Sequence, residues 1–493
     1  MRYQEQMELA RDIVVKLRYL ESMDNIIYYD RWNACPKNAF DYEGRVNAYL
    51  TELKHEKTVS PQVKELVEAF QDIEQYESDL DKGVADYLTA RYTEAVQIPA
   101  GLKAELNQAN AEGQLIWEKC YRENDFESFK PVLARQFNIQ KRIAEAINPG
   151  EDPYQVLVNR FDKGYRLEEI DSILEEMKKS VVEILGEIRE KHEKIDDSIL
   201  TCDLDKETIM RLVYKAQRLL RFDEDQSTVF EMHHPVCDCV GPKDSRPSTN
   251  YSELFHAILA ILHESGHGFY NYNGSDAVIE CGLWGGIEGA MHESQSRFYE
   301  NHVGRSREFW KNFYPILQQE VPKYREIPLE DFLKAFNKVT PGLIRLQSDE
   351  LTNTLHIIIR YELEKEYFEG KLTVDTIEES WNAKYQEYLG VTPSNSREGI
   401  LQDVHWASGY IGYFQGYALG DAYASQFRHK LEEDRPDAYQ CLEQGDISAI
   451  NGWLKEHIHQ YGQTYSAKEM LKKATGEDLR VAYYTEYLRK KFL

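Results

Sequence analysis

The chain has 493 residues, 42% of them hydrophobic, and a formal net charge of −26 from 59 Lys+Arg against 85 Asp+Glu. That acid excess argues against nucleic acid and anionic membranes as partners and favours solubility, while the apolar content suffices for a sizeable core. Seven scattered cysteines form no disulfide framework, no run of about 18 apolar residues could span a bilayer, and the mixed-charge start is unlike a secretory signal, so a cytoplasmic protein is expected.

From the N-terminus to about Asp223 the text reads as successive amphipathic helices. Ser60-Pro61, a cap followed by proline at the first helical position, opens one that VKELVEAFQDIEQYESDL continues. GLKAELNQANAEGQLIWEKCYREN makes another, and FESFKPVLARQFNIQKRIAEAIN a third, which Asn148-Pro149-Gly150 ends. Leucine and isoleucine at three- and four-residue steps carry a further helix from Arg166 to about Asp196. Between about Gln226 and Tyr251 the pattern changes. β-Branched and polar residues mix with prolines, which predicts a short strand or hairpin. His233, His234, Cys237 and Cys239 in this stretch make a weak candidate for a second zinc site, because Cys-x-Cys lacks finger spacing.

SELFHAILAILHESGHGFYNY follows. In a helix, His263 and His267 project from one face a turn apart, placed to bind one Zn²⁺ through nitrogen. Glu264 stands beside that position, where a carboxylate can take a proton from an attacking water. An HExxH arises by chance roughly once in twenty such chains, so two surface histidines on an ordinary helix is the plain alternative. Ile258, Leu259, Ile261 and Leu262 argue against it, since they make the helix a buried one whose polar side chains need partners. A catalytic site also needs a third protein ligand. NYNGSDAVIECGLWGGIEG is glycine-rich and reads as largely loop, and helical text resumes at about Ala290. Glu280, Glu288, His292 and Glu293 are the downstream candidates. Glu293 lies 26 residues past His267 on a second helix, with Ser296 a turn on, and Glu288 is the alternative five residues earlier. Spacing alone leaves the choice open.

HESGH followed by HESQS, then IRLQSDELT at 344–352 and GILQDVHW at 399–406, resembles the carboxypeptidase Taq family. DSRPST at 244–249, VGRSREFW at 303–310, LHIIIRYELE at 355–364, GYFQGYALGDAYASQ at 412–426 and KATGEDL at 473–479 extend the likeness over most of the chain. The resemblance implies a mainly α fold and metallocarboxypeptidase activity. With no repeat, linker or clean boundary within 1–493, the expected architecture is a single large helical body divided by a deep substrate groove, with a small β element beside the HExxH helix.

By the same resemblance the metal ligands fall on His263, His267 and Glu293, which settles Glu293 over Glu288, and the catalytic glutamate falls on Glu264. The histidine of the GxxQDxHW motif falls on His405, and the tyrosines of the GYFPxY motif on Tyr413 and Tyr417. His405 and Tyr417 suit oxyanion stabilisation, packing being the alternative for the tyrosine. Arg345 is a candidate to grip the substrate's terminal carboxylate bidentately, with a structural ion pair as the alternative. Arg246 supports the groove strand or contacts peptide. One divalent metal per chain is implied, Zn²⁺ first with Co²⁺ also accepted by a His₂Glu set, together with peptide substrates and a homodimer. Ser348, Asn353, Asn250 and Gln415 depart from the family's pattern without touching a ligand or Glu264, as does the Pro247-Ser248-Thr249 run. Two rival readings are an endo- or dipeptidyl-cleaving helical zinc oligopeptidase and a non-catalytic peptide-binding protein, the second opposed by the intact HExxH.

Overall fold

A computed structural model describes residues 2–191, 194–232 and 235–493. The expected succession of helices opens the chain: α1 (Tyr3–Asn33), α2 (Phe40–Thr58), α3 (Pro61–Phe70), α4 (Asp79–Gln97), α5 (Ala100–Glu123), α6 (Phe126–Ile147), α7 (Pro153–Phe161), α8 (Leu167–Lys191) and α9 (Lys206–Leu219). Ser60 caps α3 as its chemistry dictates, the hydroxyl accepting from the Val63 amide behind Pro61. The helix is shorter than its text suggested. It stops at Phe70, and α4 starts afresh because the Ser78 hydroxyl accepts from the Asp81 amide, a local cap that competes with one continuous helix.

Three strands interrupt the helices: β1 (Phe230–Glu231), β2 (Cys237–Gly241) and β3 (Asp244–Thr249). β2 and β3 form the expected hairpin, antiparallel with Asp238 opposite Arg246, and β1 lies parallel to β3 on its other side. Of the weak second-zinc candidate, His233 and His234 lie outside the described residues. Cys237 and Cys239 are free thiols in hydrogen-bond contact with Ser245, Gly241 and Asn271.

The second half continues with α10 (Leu254–Tyr272), α11 (Asp276–Glu280), α12 (Ala290–Arg297), a π-helical turn at Phe298–Gly304, α13 (Arg307–Glu320), α14 (Leu329–Phe336), α15 (Glu350–Phe368), α16 (Ile377–Tyr388), α17 (Gln415–Asp434), α18 (Ala438–Glu443), α19 (Ser448–His457), α20 (Ala467–Thr475) and α21 (Val481–Phe492). The glycine-rich stretch read as loop holds the short α11, capped by Ser275. The fold is mainly α with one small sheet, as expected, and among the described residues no helix is long and apolar enough to cross a membrane.

One large apolar cluster runs from Cys120 to Leu488. A smaller one joins Met7, Val14, Val63, Phe70 and Leu88 to Val278 and Leu283, so the N-terminal helices close on each other and on the α11 region. Tyr29 of α1 ties that lobe to the hairpin: its hydroxyl donates to the Arg246 carbonyl at 2.6 Å and accepts from the Asp238 amide at 3.2 Å. In α10, Ile258, Ile261 and Leu262 are fully buried. At about 1.5–3 kcal/mol for each such side chain, their burial anchors α10 as a fixed rod.

Candidate metal centre

Glu253 caps α10 by accepting from the amides of Phe255 and His256, and this sets the phase of the helix that carries the histidines. α12 crosses α10 at Gly266. A Cβ there would stand 2.5 Å from the Gln295 carbonyl and 2.6 Å from Ser296 Cα, so only glycine permits the approach that brings Glu293 over the two imidazoles.

The side-chain geometry follows. Oε2 of Glu293 lies 3.9 Å from Nε2 of His263 and 3.7 Å from Nε2 of His267. The three residues offer ligand atoms within 4.8 Å of one another. The other ring nitrogen of each histidine is occupied. Nδ1 of His263 meets Oε2 of Glu300 at 2.8 Å, and a carboxylate partner there requires that Nδ1 carry the proton. Nδ1 of His267 meets Nδ1 of His292 at 2.6 Å, while Nε2 of His292 meets Oδ1 of Asn271 at 3.0 Å. With the Asn271 oxygen accepting from His292 Nε2, the His292 Nδ1 lone pair accepts from His267. In their neutral forms His263 and His267 are thereby left with bare Nε2 atoms facing Glu293. This donor set fits a small divalent cation such as Zn²⁺, with two imidazoles, one carboxylate and their outer partners in place.

The electrostatics agree. Burial opposes charge on His263, yet Glu293 and the Glu300 hydrogen bond hold its imidazole at about 9, a measure of how strongly the centre favours positive charge. Burial, helped by the neighbouring imidazoles, keeps His267 well below the usual histidine range. Glu264 is buried, and that burial pushes it up to about 8 against the opposing pull of His263. Arg297 holds the acids together: Nε donates to Glu293 Oε1 at 2.7 Å and lies 3.7 Å from Asp421, and Nη1 donates to Glu300 at 3.2 Å.

His405 and Tyr417 come together, with Nε2 of His405 3.3 Å from the Tyr417 hydroxyl. Tyr413 packs edge-on to Tyr417 with ring centroids 5.3 Å apart, and both tyrosines feel the Glu293 charge. Burial keeps His405 neutral at about 4, and burial likewise pushes Tyr417 up to about 12. Arg345 lies near the Tyr417 ring, 5.5 Å from its centroid, but its bidentate edge is not free. Nε and Nη2 donate to Asp403 at 3.1 and 2.7 Å, the kind of structural ion pair weighed as the alternative, and Nη1 stays outside that pairing. Arg246 is committed in the same way, to Asp244 at 2.9 and 2.7 Å within the hairpin. Glu280 and Glu288 are exposed and stand outside the converging set.

The departures from the family pattern have local partners. Asn353 Nδ2 donates to Ser348 Oγ at 2.8 Å, so two of them compensate each other. Gln415 is buried and donates to Asp162 at 3.0 Å; the other oxygen of Asp162 accepts from the Ala290 amide at the start of α12. The supporting residues Glu300, Arg297, Asp421 and Asp403 were not anticipated, and His292 was considered only as a ligand. A signal existed for two of them: Glu293, Arg297 and Glu300 follow at steps of four and three, one helical face.

The sequence description of the carboxypeptidase Taq (M32) metallopeptidase family matches residues 10–492. The chain is 34% identical over 486 residues to carboxypeptidase 1 of Bacillus subtilis (strain 168), covering 98% of this chain and 97% of that one. It is 32% identical over 513 residues to thermostable carboxypeptidase 1 of Thermus thermophilus, covering 99% and 98%. Among solved structures, the Pyrococcus furiosus carboxypeptidase matches with a TM-score of 0.95 at 28% identity over 99% of both chains.

Proposed function

This chain belongs to the carboxypeptidase Taq (M32) metallopeptidase family, and from that membership we propose how its residues divide the work of C-terminal residue release. It is a metal-dependent carboxypeptidase acting on peptides. The observation that carries the assignment is the convergence of His263, His267 and Glu293 beside the buried carboxylate of Glu264. These three would hold the metal, which we take to be Zn²⁺, with Co²⁺ compatible with the same donors. A divalent metal bound there acidifies water and polarises the scissile carbonyl.

Glu264 takes the proton of the attacking water and passes it to the leaving amine, so that C–O bond formation and C–N cleavage share one carboxylate. Tyr417 keeps its proton at neutral pH and donates a hydrogen bond to the oxygen that gains charge, and neutral His405 serves the same wall. Tyr413 buttresses Tyr417. Arg345 orders Asp403 and retains only Nη1 for a substrate carboxylate, a single-point anchor; Arg246 serves the hairpin. The chain acts as one catalytic unit over 1–493, a reading supported by the apolar cluster that spans most of its length. Seven unpaired thiols support a cytoplasmic location. The homodimer rests on the family resemblance alone.

Glu264→Gln should retain metal while turnover falls about 10²–10⁴-fold. Substantial activity in that variant sinks the role of Glu264. Peptides with free and amidated C-termini, digested and read by mass spectrometry, test the mode of attack: one-residue losses from the free form only are expected. Internal cuts in the amidated form would establish the oligopeptidase reading instead.

A further inference from the structure

The segment LHIIIRYELE has no part in the assignment above, yet it forms the middle of α15, where Arg360 and Glu364 sit one turn apart with no exposed surface. Nε of Arg360 donates to Asp403, the same carboxylate that takes the Arg345 fork. Glu364 meets no cation among the described residues. Its Oε1 accepts from the indole Nε1 of Trp406 at 2.6 Å, and its Oε2 from the Gly412 amide at 2.8 Å and the Tyr154 hydroxyl at 3.0 Å.

The positions of those donors matter. Trp406 directly follows His405, and Gly412 directly precedes Tyr413. One carboxylate therefore clasps both ends of the short loop whose flanks carry the two halves of the proposed oxyanion wall. Gly412 fits that turn with φ +75°, and a Cβ there would stand 2.9 Å from the Leu157 backbone. Burying a carboxyl group without a counter-ion is costly, and burial pushes Glu364 up to about 7 against its three hydrogen bonds. An apolar side chain of similar volume would avoid that cost, so packing does not account for Glu364. What an apolar residue cannot do is hold two segments of backbone at one distance.

We propose that Glu364 is a positioning residue that fixes the separation of His405 from the Tyr413–Tyr417 turn and so keeps the two proton donors of the oxyanion wall in register. This rests on the function proposed above. Arg360, a turn earlier, secures Asp403 on the same loop, so α15 acts as its template.

The test uses the full-length, metal-loaded enzyme. Glu364→Gln keeps the volume but turns an NH₂ group toward N–H donors, so at least one of Trp406 and Gly412 loses its acceptor. The expected result is unchanged metal content, kcat lowered about tenfold or more, and KM within about threefold, because a misplaced donor costs mainly transition-state stabilisation. Amide hydrogen exchange over residues 404–417 should quicken while exchange across α10 stays the same. Trp406→Phe removes one donor and keeps the ring packing. It should move the same readouts less far in the same direction, and it serves as the test if Glu364→Gln does not fold. A folded variant with wild-type kcat overturns the proposal, as does a lowered kcat with exchange over 404–417 unaltered. Should the wild-type enzyme release no C-terminal residues, the carboxypeptidase assignment fails, while the exchange comparison still decides whether Glu364 holds the loop.

Discussion

His292 stands behind His267, outside the set of three converging ligand atoms, and its effect is to choose which nitrogen of His267 is left bare. Glu300 does the same for His263. Outer partners of this kind set ligand tautomer and orientation, and their loss typically costs about 10–100-fold in metal affinity. His292→Phe and Glu300→Gln should each weaken metal binding by that order, measured by competition against a chelator, with the helical circular dichroism of the loaded protein unchanged. Affinity equal to wild type would reduce both to packing residues. At this scale the HExxH residues were legible, and of their supports only Arg297 and Glu300 carried a signal, on one helical face with Glu293. HExxH encodes direction through helix pitch, whereas the contact of His292 with Asn271 depends on how two helices cross.

Helix crossings decide the next scale. Gly266, inside the HExxH helix, lets α12 lie against α10, and the atoms a side chain would meet are backbone atoms that cannot swing away. Gly266→Ala gains roughly 1 kcal/mol of helix propensity but forces the helices apart, so a net loss of about 1–3 kcal/mol is expected in urea denaturation. An unchanged midpoint would mean that the contact relaxes freely. The boundary at Phe70 and the short α11 belong to this scale too. Hydrophobic periodicity located the helices, but a serine cap at Ser78 or Ser275 was enough to start a new one within text that read as continuous helix or as loop. Ser348 and Asn353 are likewise explained only as a pair, the first turn of α15 bringing Asn353 back to Ser348 just ahead of the helix.

Across the whole molecule, burial has set the charge states of many groups at once. His302, His356, His405, His459 and His292 are all held below the usual histidine range, burial being the first cause in each. Their neutral forms favour folding fully above about pH 6.5, and that contribution is lost as pH falls toward 4, because the unfolded chain then binds more protons. Asp162, Asp421 and Glu364 work the other way: burial raises them to about 6, 7 and 7, so the folded state takes up protons over the same interval. Against the cost of burial, Arg345 holds Asp403 and Arg297 holds Glu300 well below the usual carboxylate range, so their contribution is also lost on acidification and stability should fall between about pH 5.5 and 4.5. Urea midpoints at pH 6.5, 5.5 and 4.5 check the sign, and a midpoint that rises over the last of these intervals would refute it. The sequence by itself pointed to the chemistry, because helical spacing turns residue number into direction for His263, Glu264 and His267, while Glu293 followed from the family resemblance where spacing left the third ligand open. Only the tertiary structure decided which charges remain free to act. Arg345 meets Asp403 from 58 residues away and Arg360 meets it from 43, and no local period encodes that the cation expected to grip substrate is already engaged.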